Sequence, residues 1–172
     1  MKLLIVGAGG YGLLVREMAE AQGYKVDFLD DNSPLAVGKV ENLEKIEGEY
    51  DGSIVAIGNP EIKQKILRRM KNLVTLIHPT ACVSVSAVIG TGCVIEANTV
   101  VNSNAVVNDG SFICAGAVVN HNAVVGKFCQ IDCNAVVAVG AKVPESTKVQ
   151  SCTVFKSVSY THLRAHETSQ DL

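Results

Sequence analysis

The sequence predicts a chain in two parts, an α/β unit on a parallel sheet and then a β-helix of six-residue repeats, and three observations predict it. A glycine-rich turn joins an apolar strand to a helix near the N-terminus. Apolar residues recur at every sixth position from Ala81 onward. The composition, 48% hydrophobic and 19% charged over 172 residues, is that of a globular protein.

The same numbers narrow the function. A formal net charge of −2 supplies no basic field for phosphate backbones or anionic lipid, so neither nucleic acid nor a membrane is an expected partner. The apolar opening from Leu3 to Val6 ends at glycines, short of a signal-peptide core and of the roughly 20 apolar residues that span a bilayer. A cytoplasmic protein is expected. The six cysteines, Cys82, Cys93, Cys114, Cys129, Cys133 and Cys152, contain no C-x-x-C pair and no regular metal spacing. They read as small core residues of a reducing compartment, with no metal expected.

Residues 1–77 carry the α/β unit. Lys2 to Gly7 reads as a buried parallel strand followed directly by Gly7-Ala8-Gly9-Gly10-Tyr11-Gly12. A helix follows, with Leu14, Met18 and Ala21 at helical spacing and Gly23 as its stop. Lys25 to Leu29 is the second strand and ends at Asp30 and Asp31. Ser53 to Gly58 is expected as a third strand, Glu61 to Lys71 as a helix with Ile62, Ile66 and Met70 on one face, and Leu73 to Ile77 as a fourth strand. Glycines at such a turn let a phosphate approach backbone N–H groups at the positive end of a helix, and an acidic pair after the second strand stands where ribose or base contacts are expected. Gly7, Gly9, Gly10, Tyr11, Gly12, Asp30 and Asp31 are therefore the candidate substrate-binding residues of a Rossmann-like half-site. The bland alternative is a tight turn that only packs helix on strand. The unit has room for one mononucleotide half, which favours a mononucleotide or nucleotide sugar over NAD.

From Ala81 the chain repeats in hexads. The third positions, Val83, Ile89, Ile95, Val101, Val107, Ile113, Val119, Val125, Ile131, Val137, Val143, Val149 and Phe155, are all apolar, and every first position is Ala, Cys, Ser or Thr. Positions one and three lie on the same side of an extended chain, so a small and a large residue share one face. Positions four to six are small or polar, as in Asn102-Ser103-Asn104, which suits corners. This pattern resembles the left-handed parallel β-helix acyltransferases, in which three hexads form one triangular coil. The left hand comes from that resemblance, because general topology rules favour the right.

Three hexads per coil imply that residues 18 apart are stacked. Second positions then point outward in three columns: Val100, Val118, Val136 and Val154 on one side, Val88, Val106 and Val124 on the next, Val94 and Phe112 on the third. Ten of the thirteen second positions are apolar, too many for a solvated surface, so an oligomer is expected, by family analogy a homotrimer. The Val100 side is its expected interface.

Among the repeats there is one histidine, His121, in Ala117-Val118-Val119-Asn120-His121-Asn122. It falls at a corner beside the expected interface, where an imidazole titrating near neutrality can deprotonate an amine or hydroxyl as it attacks a thioester. The bland alternative is a solvated corner histidine. Stacking places Ser103 one coil before it and Val139 and Gly140 one coil after, and a backbone N–H near Val139 is the expected oxyanion donor.

Together, Gly7 to Gly12, Asp30-Asp31, the linker Ile77-His78-Pro79-Thr80-Ala81 and Asn120-His121 resemble the sialic acid O-acetyltransferase and UDP-4-amino-sugar (bacillosamine-type) N-acetyltransferase family. The resemblance spans residues 2 to about 155. It implies a front unit that binds a nucleotide sugar, acetyl-CoA as co-substrate between the β-helices of a trimer, and His121 as general base. The family usually has an acidic residue directly after this histidine and often a second histidine nine positions on. This chain has Asn122 and Gln130, and asparagine supplies no negative charge to favour an imidazolium. A catalytically impaired, nucleotide-binding trimeric scaffold is therefore the competing expectation. A three-histidine zinc enzyme on a similar β-helix finds too few histidines here. The β-helix is expected over residues 78–156. Residues 157–172, which include His162 and His166, break the hexad phase and read as a non-native tail with no functional role.

Overall fold

In the computed structural model residues 1–157 are described, so the expected tail lies outside the described residues from position 158. The N-terminal unit comprises β1 (Lys2–Val6), α1 (Gly10–Ala21), β2 (Lys25–Leu29), β3 (Ala36–Gly38), α2 (Leu43–Ile46), β4 (Gly52–Val55) and α3 (Pro60–Leu67). Its strands are all parallel, in the order β3-β2-β1-β4. Leu3, Leu4, Ile5 and Val6 are completely buried because both faces of the sheet are covered, which is why this strand reads as an unbroken apolar run. Leu3 and Ile5 pack with Val15, Met18 and Phe28, whereas Leu4 and Val6 pack with Leu43, Ile66 and Leu67. Asn59 caps α3, its Oδ1 accepting from the N–H groups of Glu61 (3.0 Å) and Ile62 (3.1 Å), with Pro60 as the first helical residue.

Three expectations about this unit are corrected. The fourth strand of its sheet is β3, which the sequence did not reveal, and not Leu73 to Ile77. Leu73 forms only a bridge to Ser53, and β5 (Leu76–Ile77) pairs with Val94–Ile95 of the β-helix. Thr75-Leu76-Ile77 is itself a small-apolar-apolar hexad start, one repeat ahead of Ala81. On α1 the buried residues are Gly12, Val15, Met18 and Ala19, while Leu14 is exposed. On α3, Ile66 is buried but Ile62 is 47% exposed.

The remaining strands, β6 (Cys82–Val83) to β18 (Val154–Phe155), are two residues long and recur every six residues. With β5 they stack into three parallel sheets in which residues 18 apart are register partners, as in Val88, Val106, Val124 and Lys142. The hexad arithmetic is thus the register of the column. Third-position side chains from Ile95 to Val149 form one continuous buried core with the small first-position residues, and Val83, Ile89 and Phe155 pack partly buried at its ends. Each such burial stabilises by roughly 1.5–3 kcal/mol.

The second positions do point outward, but the three faces fare differently. Val94 and Phe112 are 0% and 1% exposed, covered by the N-terminal unit of the same chain, where they join Leu76, Leu3, Ile5 and Phe28. Val100, Val118 and Val136 are half-buried, and Val88 and Val154 are 59% and 55% exposed. The chain thus covers one apolar face itself.

Candidate active site

The glycine turn shows a division of labour. Gly7 has φ 107°, and a Cβ there would lie 2.8 Å from the Ile57 side chain. A Cβ on Gly12 would lie 2.0 Å from the Gly7 carbonyl oxygen. These two glycines let the helix pack onto the strand. Gly9 and Gly10 face open space, and Gly9, the N-cap, has no side chain to cap α1, so its first N–H groups are presented to an anion.

Beside the turn lies a cavity of about 380 Å³ lined by Gly7, Asp30, Asp31, Asn32, Ile57 and Lys65, with Val40, Ile62 and Ile66 completing the wall. Sequence reading missed Lys65, the single cation lining it among the described residues, although its place beside Ile62 and Ile66 on one helical face was legible.

Three expected ligand contacts are recast. Asp30 Oδ2 accepts from the Ala8 N–H (2.8 Å), and its Oδ1 accepts from Asn32 and Ser33 N–H (both 2.9 Å). These backbone hydrogen bonds, the Ala8 one foremost, hold its carboxyl below the usual range. Asp30 therefore ties the turn to the loop after β2 before it can meet a ribose. Asp31 Oδ1 likewise accepts from the Val40 N–H at 3.0 Å. Tyr11 does not line the cavity. Its ring packs on Phe112 with centroids 4.9 Å apart and planes at 34°, and burial, then the Glu96 carboxylate, push its phenol well above the ordinary value. Tyr11 belongs to the seam between the two parts.

Lys63 lies in the same seam, 1% exposed. Its Nζ sits 3.8 Å from the Phe112 ring centroid and donates to the Cys129 carbonyl at 3.5 Å. Burial lowers its pKa to about 8. Its burial has no signature in the sequence, since a lysine on an amphipathic helix ordinarily reaches solvent.

His121 stands exposed at the corner between the Val100 face and the Val88 face, the corner that does not touch the N-terminal unit. Asn122 follows it in the left-handed region, φ 59°, and the Asn122 N–H donates to the Ser103 carbonyl at 3.0 Å. Asn120 lies one coil from Asn102, whose Nδ2 donates to its Oδ1 at 3.4 Å, so an amide ladder stiffens the corner. The Asn122 Nδ2 lies 3.1 Å from His121 Nδ1. In that orientation Nδ1 accepts and the ring proton sits on Nε2. With the amide turned over, Oδ1 accepts the Nδ1 proton and Nε2 becomes the basic atom. One coil on, the Gly140 N–H is taken by the His121 carbonyl at 3.2 Å, while the N–H of Val139, 57% exposed, makes no backbone hydrogen bond among the described residues. Val139 therefore fits the donor role, and Gly140 holds the corner.

Gln130 lies on a different face, against the N-terminal unit. A Cβ on Gly58 would be 3.7 Å from its Oε1, and its Nε2 donates to Asp132 Oδ1 at 2.7 Å. His121 and the glycine-turn cavity lie on opposite sides of the column within one chain.

A parallel α/β unit clasped to a three-sided column of hexads, with an exposed corner histidine, defines a hexapeptide-repeat acyltransferase. Residues 2–70 match the model of the PglD N-terminal domain family. The chain is 32% identical to the acetyltransferase domain of PglB from Neisseria gonorrhoeae in complex with acetyl coenzyme A, with a TM-score of 0.75 over 91% of this chain and 85% of that one. It is 31% identical over 116 residues to UDP-N-acetylbacillosamine N-acetyltransferase of Bacillus subtilis (strain 168), a match covering 54% of this chain and 50% of that protein. The chain thus spans about half the length of the curated relative it matches. A mutant of perosamine N-acetyltransferase from Caulobacter crescentus, in complex with CoA and GDP-perosamine, shares the fold at 21% identity, with a TM-score of 0.75 over 91% of this chain and 90% of that one. The chain belongs to the hexapeptide-repeat sugar acetyltransferase family, with a Rossmann-like front unit and a left-handed β-helix.

Proposed function

We propose that this chain transfers an acetyl group from acetyl-CoA to the amino group of a nucleotide-linked sugar, with His121 as general base. The observation that carries the reading is the exposed imidazole at the far corner of the column, one coil from the unoccupied N–H of Val139. His121 takes the proton of the acceptor amine as nitrogen attacks the thioester carbonyl, worth roughly 10²–10⁴ in rate; the C–S bond then breaks and the proton held on His121 passes to the leaving CoA thiolate. The Val139 N–H donates to the oxygen that becomes negative. Asn122 sets the tautomer: Oδ1 toward Nδ1–H leaves Nε2 as the base. Because an amide carries no charge, the imidazolium formed is less stabilised than beside a carboxylate.

The nucleotide occupies the cavity lined by Gly7 and Lys65, with its phosphates reaching toward the first N–H groups of α1 at the open Gly9 and Gly10. This cavity and His121 lie on opposite sides of one column, so a neighbouring copy has to bring its cavity to each histidine. A homotrimer packed through the Val100 and Val88 faces does so and covers the valines left exposed there. The relatives named for N-acetylation, and the acetyl coenzyme A and GDP-perosamine bound in solved homologues, support these ligands. None of these steps calls for a metal, and all are compatible with the cytoplasm.

The test is acetyl transfer from acetyl-CoA to UDP- or GDP-linked 4-amino sugars, followed by release of free thiol. His121→Ala lowers turnover at least 100-fold while acetyl-CoA binding persists. Turnover retained in that variant removes His121 from the chemistry.

A further inference from the structure

The corner that carries His121 changes character at the histidine. One coil before it, a step of about 4.8 Å, stands Ser103 between Asn102 and Asn104; one coil after it stands Val139 between Ala138 and Gly140. Hydroxyl and amide groups thus lie on one side of the imidazole and apolar groups on the other. Charge divides in the same sense. Lys142, just past Val139 in the chain, is exposed, whereas its register partners on the preceding coils are Val124 and Val106.

Ser103 carries the free donor of the polar side. Its Oγ accepts from the Ser84 Oγ at 3.4 Å, and Ser84 Oγ lies 3.2 Å from that of Ser86. The Ser103 side chain is exposed, and its own hydroxyl proton has no acceptor among the described residues. Its backbone is fixed, because its carbonyl accepts from the Asn122 N–H at 3.0 Å, which holds it one coil from His121. One coil further back the fully exposed Val85 ends the polar stretch. That stretch is about as long as one hexose ring is wide.

We propose that Ser103 is a specificity residue for the acceptor sugar, its hydroxyl donating to the ring hydroxyl next to the amine that His121 deprotonates. The assignment rests on the acetyl-transfer reading above and adds the side from which each substrate reaches His121. The acceptor, a ring of hydroxyls, lies toward Ser103. The thioester, with a methyl group at one end and phosphates beyond the other, lies toward Val139 and Lys142. In a 4-amino sugar the hydroxyl that meets Ser103 is the 3-hydroxyl.

The experiment is calorimetric titration of the full chain with GDP-perosamine and with a UDP-linked 4-amino-4,6-dideoxyhexose, each beside its free nucleotide and its 3-deoxy analogue. At least one sugar nucleotide binds tighter than its free nucleotide. Ser103→Ala weakens that binding about tenfold, the effect of one net hydrogen bond, and leaves free nucleotide and acetyl-CoA unaffected. Ser103→Thr, which keeps the hydroxyl, restores it. The 3-deoxy analogue binds wild type and Ser103→Ala alike. In turnover the acceptor KM rises in Ser103→Ala, while the KM for acetyl-CoA and the pH profile of kcat stay in place. The assignment is overturned if neither sugar nucleotide outbinds its free nucleotide, if Ser103→Ala binds as wild type does, if the 3-deoxy analogue suffers the same loss, or if acetyl-CoA binding falls with it. Binding needs no turnover, so a chain that reads the 3-hydroxyl through Ser103 but transfers no acetyl group sinks the acetyl-transfer reading alone. Turnover that is indifferent to Ser103 sinks this assignment alone.

Discussion

The column and the N-terminal unit bury similar aliphatic residues by different rules. In the column every third-position side chain meets its own equivalent one coil away, so Val107 is buried for the same reason as Val125 and one period describes them all. In the unit each residue meets a different partner: Leu3 and Leu4 are adjacent and equally buried, one against α1 and the column, the other against α2 and α3. A solenoid is held by nearest-neighbour contacts of one kind, whereas a doubly covered sheet is held by long-range contacts of many kinds. The seam joins the two regimes, and it is where the sequence misled.

Four outcomes test that contrast, beyond the loss of turnover in His121→Ala. The largest concerns Phe112, an outward position of the column that the unit has claimed. Phe112→Ala removes the ring beneath Tyr11 and Lys63 and costs about 3–5 kcal/mol. Thermal unfolding then splits into two transitions, one for each part; a single unshifted transition shows that the seam does not couple them.

Asp30→Ala acts inside the unit. It strips the acceptor from the Ala8, Asn32 and Ser33 N–H groups and costs about 1–3 kcal/mol. The folded-state pKa lies below 3.8, so this contribution is complete above that value and fades as pH falls through the folded pKa. Denaturant melts of both proteins at pH 7 and at pH 3 read the difference, which shrinks at the lower pH.

Lys63 gives a slope of the same sign from an opposite cause, a charge that burial disfavours. Burial lowers its pKa from 10.5 to about 8, so between those values the unfolded chain holds more protons and stability rises with pH. Lys63→Met removes that slope. Melting temperatures of the two proteins at pH 7, 9 and 10 therefore converge as pH rises; a constant gap shows that Lys63 is charged throughout.

The smallest effect belongs to Val88, outward and 59% exposed. Val88→Ala changes the unfolding free energy of a single chain by no more than about 0.5 kcal/mol. If copies pack through this face, the same substitution lowers their association, measured by sedimentation at falling protein concentration.

What was legible follows from these regimes. Residues 81 to 155 could be assigned inward, outward or corner from period alone, and the register repeats that arithmetic strand by strand. β2 was legible to the residue, and the glycine-rich run was placed correctly after β1, although Gly10, Tyr11 and Gly12 prove to be the first turn of α1. The start of the column was missed because Thr75-Leu76-Ile77 follows a helix and a bridge, a context in which it reads as one more strand of the unit. The buried stripe of α1 was misread because Leu14, Met18 and Ala21 are apolar at helical spacing, as are Val15 and Ala19, and composition does not rank two overlapping stripes.

The sequence by itself determined the six-residue column, the parallel α/β unit ahead of it and the corner position of His121, because each depends on a local period or a local turn. Only the tertiary structure decided which outward face the unit covers, that Asp30 and Tyr11 are drawn into internal contacts, and that Lys63 is buried on an aromatic ring. Those outcomes depend on where the two parts meet. A sequence period fixes the direction in which a side chain points, and the partner it meets there is set by the packing of segments far apart in the chain.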